Sequence, residues 1–421
     1  MQTTVTQTSS ILQKYKSIRR RSESLCDPLV SEDYVVQPVV DVSPPKWHLA
    51  HTTWFFEMFV LQKFQPHYQL FNQQYNYLFN SYYENAGDRV LRADRGNLTR
   101  PGIEEIYQYR KYVDQQMEQF LTGDHPLDHE VTRVLGIGLQ HEQQHQELLA
   151  TDIKYILGHN PVFPVYHKHK ANTQVVEPIK ADFLEVPEGL YQIGHQGKDF
   201  CYDNELGRHQ VFLPGFKIMN RLVTNGEYLE FMRAGGYHDH NHWMMEGWEW
   251  VRVENIKAPL YWHQVEGEWH HYALSGLEKV DPNAPVSHIS FYEADAFSRW
   301  KGFRLPTEFE WETACRHWQP EMPVSANFQD TEVLAPAVAQ AGNYQFFGDC
   351  WEWTGSAYRP YPYYKKEEGA LGEYNGKFMI NQMVLRGGSC ATPANHIRPT
   401  YRNFFHPHLR WQFTGIRLAT H

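Results

Sequence analysis

Apolar side chains recur every three or four residues along the first part of the chain, which is the spacing of helices that bury one face. Ser10 can cap a helix over 11–25, because its hydroxyl can accept a hydrogen bond from an amide of the first turn. Ser43 followed by Pro44 predicts a second helix with proline at its first position. The apolar stripe of this second helix comprises Trp47, Ala50, Trp54, Met58 and Leu61.

Two further helices are predicted before the pattern changes. Thr99-Arg100-Pro101 opens one that runs toward Leu121. Asp128 caps the other, which runs to Leu157 and stops at Gly158. Four helices of this length predict a four-helix bundle.

The composition shifts over 160–182, which we interpret as a linker. Beyond it, glycine, proline, tryptophan and short apolar runs prevail, and helical spacing returns only over 292–301 and 307–317. This texture predicts an irregular α+β domain with many loops. The expected domain boundaries are 1–165 for the helical domain and 180–421 for the α+β domain.

Composition restricts the classes of partner. The 421 residues carry 39 basic and 49 acidic side chains, a net charge of −10 that argues against a nucleic-acid partner. The run Arg19-Arg20-Arg21 lies in the first predicted helix and is interpreted as a solvated face. Five scattered cysteines do not form a disulfide framework. With a polar N-terminus and no membrane-length apolar stretch, we expect a soluble, cytoplasmic protein.

The most informative motif is His141-Glu142-Gln143-Gln144-His145, within the fourth helix. Residues four apart lie one turn above each other, so both imidazoles can reach one metal ion. The same helix face continues through Leu148, Leu149 and Asp152, which directs it inward. The motif therefore predicts two metal ligands.

The second helix contributes the candidate third ligand. His51 shares the stripe of Trp47 and Trp54, whereas His48 is displaced from it. We therefore favour His51 as the ligand and His48 as a supporting or packing residue. Three neutral imidazoles leave an open site, and on Fe(II) such a set favours an additional anionic sulfur ligand.

A zinc hydrolase is the rival interpretation of the same motif. His-Glu-x-x-His on a helix is also the signature of zinc peptidases, with Glu142 as general base. The longer peptidase pattern fails, because Leu148 and Thr151 stand where glycine and histidine are required. Spacing alone leaves open a peptidase with a glutamate as third ligand.

Segments from both halves resemble one known family. Residues 43–57 and 141–145 are similar to the DinB-type helical domain of ergothioneine-pathway sulfoxide synthases. The second half resembles the formylglycine-generating-enzyme fold, an α+β fold of the C-type-lectin kind, over 184–228, 304–312, 349–354, 385–390 and 414–419. The resemblance covers nearly the whole chain, and the two domains in this order are specific.

The resemblance implies an Fe(II) enzyme with O₂ as co-substrate and His51, His141 and His145 as ligands. The implied reaction joins the thiol of cysteine or γ-glutamylcysteine to C2 of the imidazole of Nα-trimethylhistidine (hercynine), with oxidation to a sulfoxide. An enzyme of the ovothiol pathway, which takes histidine itself, is the related alternative.

The resemblance also assigns substrate contacts. Gln144 matches a position that hydrogen-bonds the imidazole, and Asn403, followed by Phe404, matches one near the betaine end. Relatives that take γ-glutamylcysteine can carry an aspartate where this chain has Phe405. A phenyl ring cannot pair with the ammonium of a glutamyl arm, so we expect cysteine to be the preferred thiol.

The loop over 80–95 is expected to carry the remaining chemistry. Arg89 and Arg92, with Arg95 in reserve, are candidates for holding the carboxylate of the thiol donor in a bidentate contact. Tyr82 and Tyr83 are candidates for donating a proton or hydrogen atom during oxidation.

Overall fold

The computed structural model describes residues 2–123, 127–167, 177–366 and 375–421. The chain divides into two compact units, and the division falls between Val162 and Phe163. Within the described ranges, every helix is too short or too polar to serve as a bilayer-spanning segment.

The first unit is helical, and the predicted bundle is confirmed. Its helices are α1 (Gln2–Ser24), α2 (Pro45–Phe56), α3 (Gln62–Phe64), α4 (Tyr75–Phe79), α5 (Ile103–Thr122) and α6 (His129–Gly158). A π-helical turn, Glu57–Leu61, extends α2. Such turns are frequent near functional sites.

The helix starts agree with the sequence in part. Asp128 caps α6 as predicted, since its carboxylate accepts a hydrogen bond from the Val131 amide at 2.8 Å. The predicted cap at Ser10 is wrong, because α1 already begins at Gln2 and no glycine or proline precedes Ser10. Helix α2 begins at Pro45, one residue later than predicted.

Helix α2 is buried on every side, although its stripe predicted a single buried face. The helix packs against both α5 and α6. Several of its polar groups find hydrogen-bond partners inside the bundle. The Lys46 ammonium donates to the Pro101 carbonyl at 2.9 Å, and the Arg110 guanidinium donates to the Leu49 carbonyl at 2.9 Å. Burial on all faces means that exposure cannot distinguish one histidine of α2 from another.

The second unit is built of short strands in four sheets within the described ranges. The three-stranded sheet β1-β4-β12 joins Phe183–Val186, Phe216–Met219 and Ala419–Thr420. The four-stranded sheet β10-β9-β8-β11 joins Asn403–Phe405, Met383–Arg386, Trp351–Ala357 and Thr414–Gly415, with β11 parallel to β8. The hairpin β2-β3 joins Gly189–Ile193 and His209–Leu213, and the meander β5-β6-β7 joins Trp262–Val265, Glu268–Ala273 and Gly276–Lys279.

Four helices accompany these sheets in the described part of the second unit: α7 (Asn225–Arg233), α8 (Met245–Val253), α9 (Phe291–Trp300) and α10 (Glu308–Trp318). The sequence predicted α9 and α10 but not α7 and α8. Helix α10 begins with a reciprocal cap, in which Thr307 accepts from the Glu310 amide and Glu310 accepts from the Thr307 amide at 2.7 Å.

The core of the second unit combines tryptophans with buried ion pairs. Trp311, Trp351 and Trp353 are fully buried. Arg417 pairs with Glu352 at 2.6 Å, and neither side chain is exposed. The irregular α+β fold expected from the sequence is confirmed.

Candidate metal centre

Three buried histidines of the first unit converge on one point. His51 comes from α2, and His141 and His145 come from α6, with exposed fractions of 0, 1 and 9%. One ring nitrogen from each lies within 4.8 Å of the other two, and no other such group of histidine, cysteine or acidic side chains occurs in the described ranges. The Nε2 atoms of His51 and His141 are 3.2 Å apart.

Hydrogen bonds to the outer nitrogens determine which nitrogen faces inward. The Nδ1–H of His51 donates to the Phe79 carbonyl at 2.6 Å, which leaves its Nε2 lone pair for a metal. The Nδ1 of His145 lies 2.9 Å from the Nδ1 of His48, which likewise leaves Nε2 of His145 directed inward. The structure places the predicted ligand His51 in the group of three histidines and the predicted supporting residue His48 behind His145. That these residues bind a metal stays a prediction.

The three imidazoles are held neutral. Burial lowers the pKa of His141 to about 3. Burial, followed by the neighbouring imidazoles, lowers the pKa of His51 and His145 well below the ordinary histidine value. The neutral imidazole is the form that binds a metal ion.

The spacing of the donor set fits a divalent transition metal. With metal–nitrogen bonds of about 2.0–2.1 Å, adjacent ligands lie about 3.0 Å apart at right angles and about 3.4 Å apart in a tetrahedron. The 3.2 Å between Nε2 of His51 and His141 falls within that interval. The three ligand atoms all lie within 4.8 Å of one another. Three neutral nitrogens suit both iron and zinc.

Aromatic rings enclose the histidines. His51 lies between Trp47, at 4.5 Å and 14°, and Trp54, at 5.5 Å and 17°. Phe55 packs on His141 with 4.8 Å between ring centroids. These stacked rings restrict imidazole rotation and exclude water from the faces of the ligands.

Glu142 is committed to an ion-pair network and not to the metal centre. Its Oε1 accepts hydrogen bonds from Ser22 at 2.7 Å and from Arg110 at 3.2 Å, and its Oε2 accepts one from Arg19 at 3.0 Å. Burial alone would raise the pKa of this carboxyl, but the two guanidinium groups outweigh that effect and hold the pKa below its usual value. A carboxylate bound in this way is not placed to act as the general base of a zinc peptidase.

Arg19 corrects the interpretation of the arginine run. It is 2% exposed and also pairs with Asp114 at 2.7 Å, so only part of the run is a solvated face. Composition could not reveal the burial of Arg19, because neighbours in the same run have different environments. Arg20, the next residue, is exposed.

The two candidate tyrosines stack on each other at 4.7 Å and 29°. Tyr83 is fully buried and lies 5.6 Å from Trp54, the ring that stacks on His51. Tyr82 is half-buried. Tyr83 is therefore connected to His51 through one ring, Trp54, and Tyr82 through two, Tyr83 and Trp54.

The structure distinguishes the three candidate arginines. Arg89 forms an ion pair with Glu84, and the exposed Arg92 donates to the Asp41 carbonyl at 2.6 Å. Arg95, the reserve candidate, is 5% exposed, and its guanidinium lies 3.4 Å from the centroid of Trp47.

The hydrogen-bond acceptors of the Arg95 guanidinium are neutral oxygens, and its buried Nε has none. The guanidinium donates to the Ser43 hydroxyl at 2.8 Å and to the Ser81 hydroxyl at 3.2 Å, and no described carboxylate pairs with it. A buried guanidinium without a carboxylate is the arrangement expected of an anion-binding group.

The remaining candidates lie in different units. Gln144 is half-buried on α6, in the first unit. In the second unit, Asn403 accepts a hydrogen bond from the Phe404 amide at 2.9 Å, and Phe404 stacks on Tyr358 at 4.1 Å and 10°. Phe405 packs edge-on against a tryptophan at 5.0 Å.

Both units match known sequence families. Residues 14–149 match the DinB superfamily, and residues 168–338 and 317–421 match the sulfatase-modifying factor enzyme 1-like domain. The fold and the site therefore define a DinB-type bundle with a three-histidine centre, fused to a domain of the sulfatase-modifying-factor type.

Individual relatives match large parts of this chain. The hercynine oxygenase of Mycolicibacterium thermoresistibile is 31% identical over 317 residues, which are 68% of this chain and 69% of that protein. The hercynine oxygenase of Mycolicibacterium smegmatis is 32% identical over 315 residues, 67% of this chain and 70% of that protein. The formylglycine-generating enzyme of Mus musculus is 27% identical over 246 residues, 49% of this chain and 65% of that protein. The chain belongs to the hercynine oxygenase family and is an oxidoreductase.

Proposed function

We propose that this protein is a non-haem Fe(II) sulfoxide synthase of ergothioneine biosynthesis. It joins the sulfur of a cysteine-type thiol to C2 of the imidazole of hercynine and oxidises that sulfur, with O₂ as the oxidant. The observation that carries the proposal is the inward set of three neutral imidazoles, His51, His141 and His145, in a chain of the hercynine oxygenase family.

The reaction balances without a further reductant. The thiol S–H and the imidazole C2–H bonds break, and a C–S bond and an S–O bond form. The two hydrogens leave with the second oxygen atom as water. Two electrons come from C–S bond formation and two from sulfur oxidation, which together reduce one O₂ to the oxidation level of water.

The ligand set suits this chemistry. Bound iron(II) would supply the activation of dioxygen. Because all three imidazoles are neutral, they leave the charge of a divalent cation uncompensated and favour an anionic thiolate beside it. The stacked indoles of Trp47 and Trp54 keep His51 in place and exclude bulk water.

Tyr82 and Tyr83 are the proposed proton or hydrogen donors. Their stacking and the contact of Tyr83 with Trp54 support the proposal. Tyr82 is the better candidate for contact with substrate, since it is half-buried, whereas Tyr83 lies fully in the core.

Arginines of the same loop are the proposed carboxylate site. Arg89 and Arg92 have exposed surface available to a substrate, while Arg95 is buried beside Trp47. A carboxylate would offer Arg95 a charged acceptor stronger than its two serine hydroxyls. We therefore assign the carboxylate of the thiol donor to Arg89 and Arg92 and include Arg95 as a third candidate.

Gln144 and Asn403 are the proposed contacts of hercynine, at its imidazole and its betaine end. Phe404 and Phe405 are proposed to line the pocket beside Asn403. The stack of Phe404 on Tyr358 holds the strand that carries Asn403. At Phe405 an apolar ring stands where an ammonium would need a polar partner, which favours cysteine over γ-glutamylcysteine.

The direct test is product analysis. Purified protein is loaded with Fe(II) without oxygen, given hercynine or histidine with cysteine or γ-glutamylcysteine, and then exposed to air. We expect the mass of the hercynine–cysteine sulfoxide adduct, and none after loading with Zn(II). An adduct formed only with histidine would support the ovothiol-type alternative, and no adduct with any pair would refute the proposal.

A further inference from the structure

Behind the metal centre lies a buried chain of hydrogen-bonding groups that the proposed chemistry does not use. Nδ1 of His48 is 2.9 Å from Nδ1 of His145, and Nε2 of His48 is 2.9 Å from Oδ2 of Asp152. The exposed fractions of His48 and Asp152 are 3 and 2%. The chain links α2 to two residues of α6 that lie about two turns apart.

A backbone amide fixes the direction of this chain. The N–H of Ser43 points at the same Oδ2 of Asp152 at 2.8 Å. An amide N–H can only donate, so this oxygen acts as acceptor. Nε2 of His48 then carries a hydrogen and donates it to Asp152. In neutral His48 the remaining nitrogen, Nδ1, carries the lone pair.

The direction at His48 decides the tautomer of His145. Because Nδ1 of His48 is an acceptor, Nδ1 of His145 must donate to it, and the lone pair of His145 stands on Nε2. The opposite direction would place the hydrogen on Nε2 and close that position to a metal ion. His51 obtains the same result from the Phe79 carbonyl, which can only accept.

We infer that Asp152 and His48 are positioning residues that select the metal-binding tautomer of His145. The inference rests on the metal centre of the proposed function and not on its substrates.

Two substitutions of Asp152 separate the effect of hydrogen-bond direction from the effect of the negative charge of the carboxylate. In Asp152→Asn the amide oxygen can still accept from both Ser43 and His48, whereas Asp152→Leu retains the size of the side chain but offers no acceptor. Affinity of the full chain for Co(II) alone is measured from the visible absorption of the bound ion. We expect Leu to weaken affinity about 10–100-fold and Asn by less than about threefold.

A control distinguishes this effect from lost stability. Ser22→Ala removes the 2.7 Å hydrogen bond to Glu142, which is on α6 but outside the histidine chain. It should lower the thermal unfolding temperature without changing Co(II) affinity. Wild-type affinity in Asp152→Leu would overturn the inference, as would equal losses in the Leu and Asn variants.

A second pair keeps the test decisive if Asp152→Leu does not fold. In His48→Gln the amide oxygen can accept from His145 while the amide nitrogen donates to Asp152, and His48→Leu can do neither. We expect glutamine to retain affinity and leucine to lose it by about 10–100-fold. Equal affinities in the two variants would refute the inference. Since Co(II) binding needs no turnover, this outcome is independent of whether the proposed reaction occurs.

Discussion

Replacing Glu142 with glutamine tests whether this residue belongs to the scaffold or to catalysis. The change retains the shape of the side chain but removes a charge that faces Arg19 at 3.0 Å and Arg110 at 3.2 Å. None of these three side chains is more than 3% exposed. Glutamine therefore leaves two buried guanidinium groups with one fewer counter-charge.

The expected loss of stability depends on the carboxylate partners that the two arginines keep. Removing one partner of a buried ion pair costs about 3–5 kcal/mol in the free energy of unfolding. Arg19 keeps Asp114 at 2.7 Å, and Arg110 keeps Glu23 at 3.1 Å, with both carboxylates about a third exposed. We therefore expect the lower end, about 3 kcal/mol. For a unit of this size that corresponds to a fall of about 6–12 °C in the unfolding temperature.

The assay combines calorimetry of the full chain with turnover below the unfolding transition. The control is Glu118→Gln, which removes the exposed pair Lys16–Glu118 between α1 and α5, the helices that supply the two arginines. It should cost less than about 1 kcal/mol. Turnover per folded Glu142→Gln molecule should remain. Lost turnover with an unfolding temperature within about 2 °C of wild type would refute the structural role and favour a general base.

The same variant has a defined pH dependence. The folded-state pKa of Glu142 lies below its usual value. Its contribution is therefore fully present above the ordinary glutamate pKa of about 4.3 and is lost as the pH falls through the folded-state pKa. The stability difference between metal-free wild type and Glu142→Gln should shrink below about pH 4.3. A difference that stays constant down to complete protonation would contradict this assignment.

Three further predictions concern the centre and its substrates. His51→Ala should abolish metal binding, measured by metal content, while His48→Ala should retain measurable metal; equal complete losses would show that the ligand is misassigned. Tyr82→Phe should bind both substrates but form less sulfoxide, with diversion to sulfinate measured by product mass, and unchanged rates and product ratios in both Tyr82→Phe and Tyr83→Phe would exclude these donors. With hercynine saturating, kcat/KM should be higher for cysteine than for γ-glutamylcysteine, and Phe405→Asp should narrow that gap; a tenfold preference for γ-glutamylcysteine in the wild type would refute the argument from Phe405.

Local patterns in the sequence determined much of the first unit. The spacing of His141 and His145 placed both on one face of a helix, because four residues complete about one turn. The Asp128 cap and the stop at Gly158 gave the bounds of that helix almost to the residue. These features depend on neighbours within a few positions, so they can be seen without the fold.

The tertiary structure decided what each polar side chain faces. Glu142 is next to a candidate metal ligand in sequence, yet it pairs with arginines from α1 and α5. No local sequence pattern predicts that pairing. Asp152 was visible as an acid seven positions after His145 on the inward face. Its role emerged only when Ser43 and His48, which are more than 100 positions away, were placed against it. The charge and direction of a buried hydrogen bond depend on groups far apart in sequence, and only the packed bundle brings those groups together.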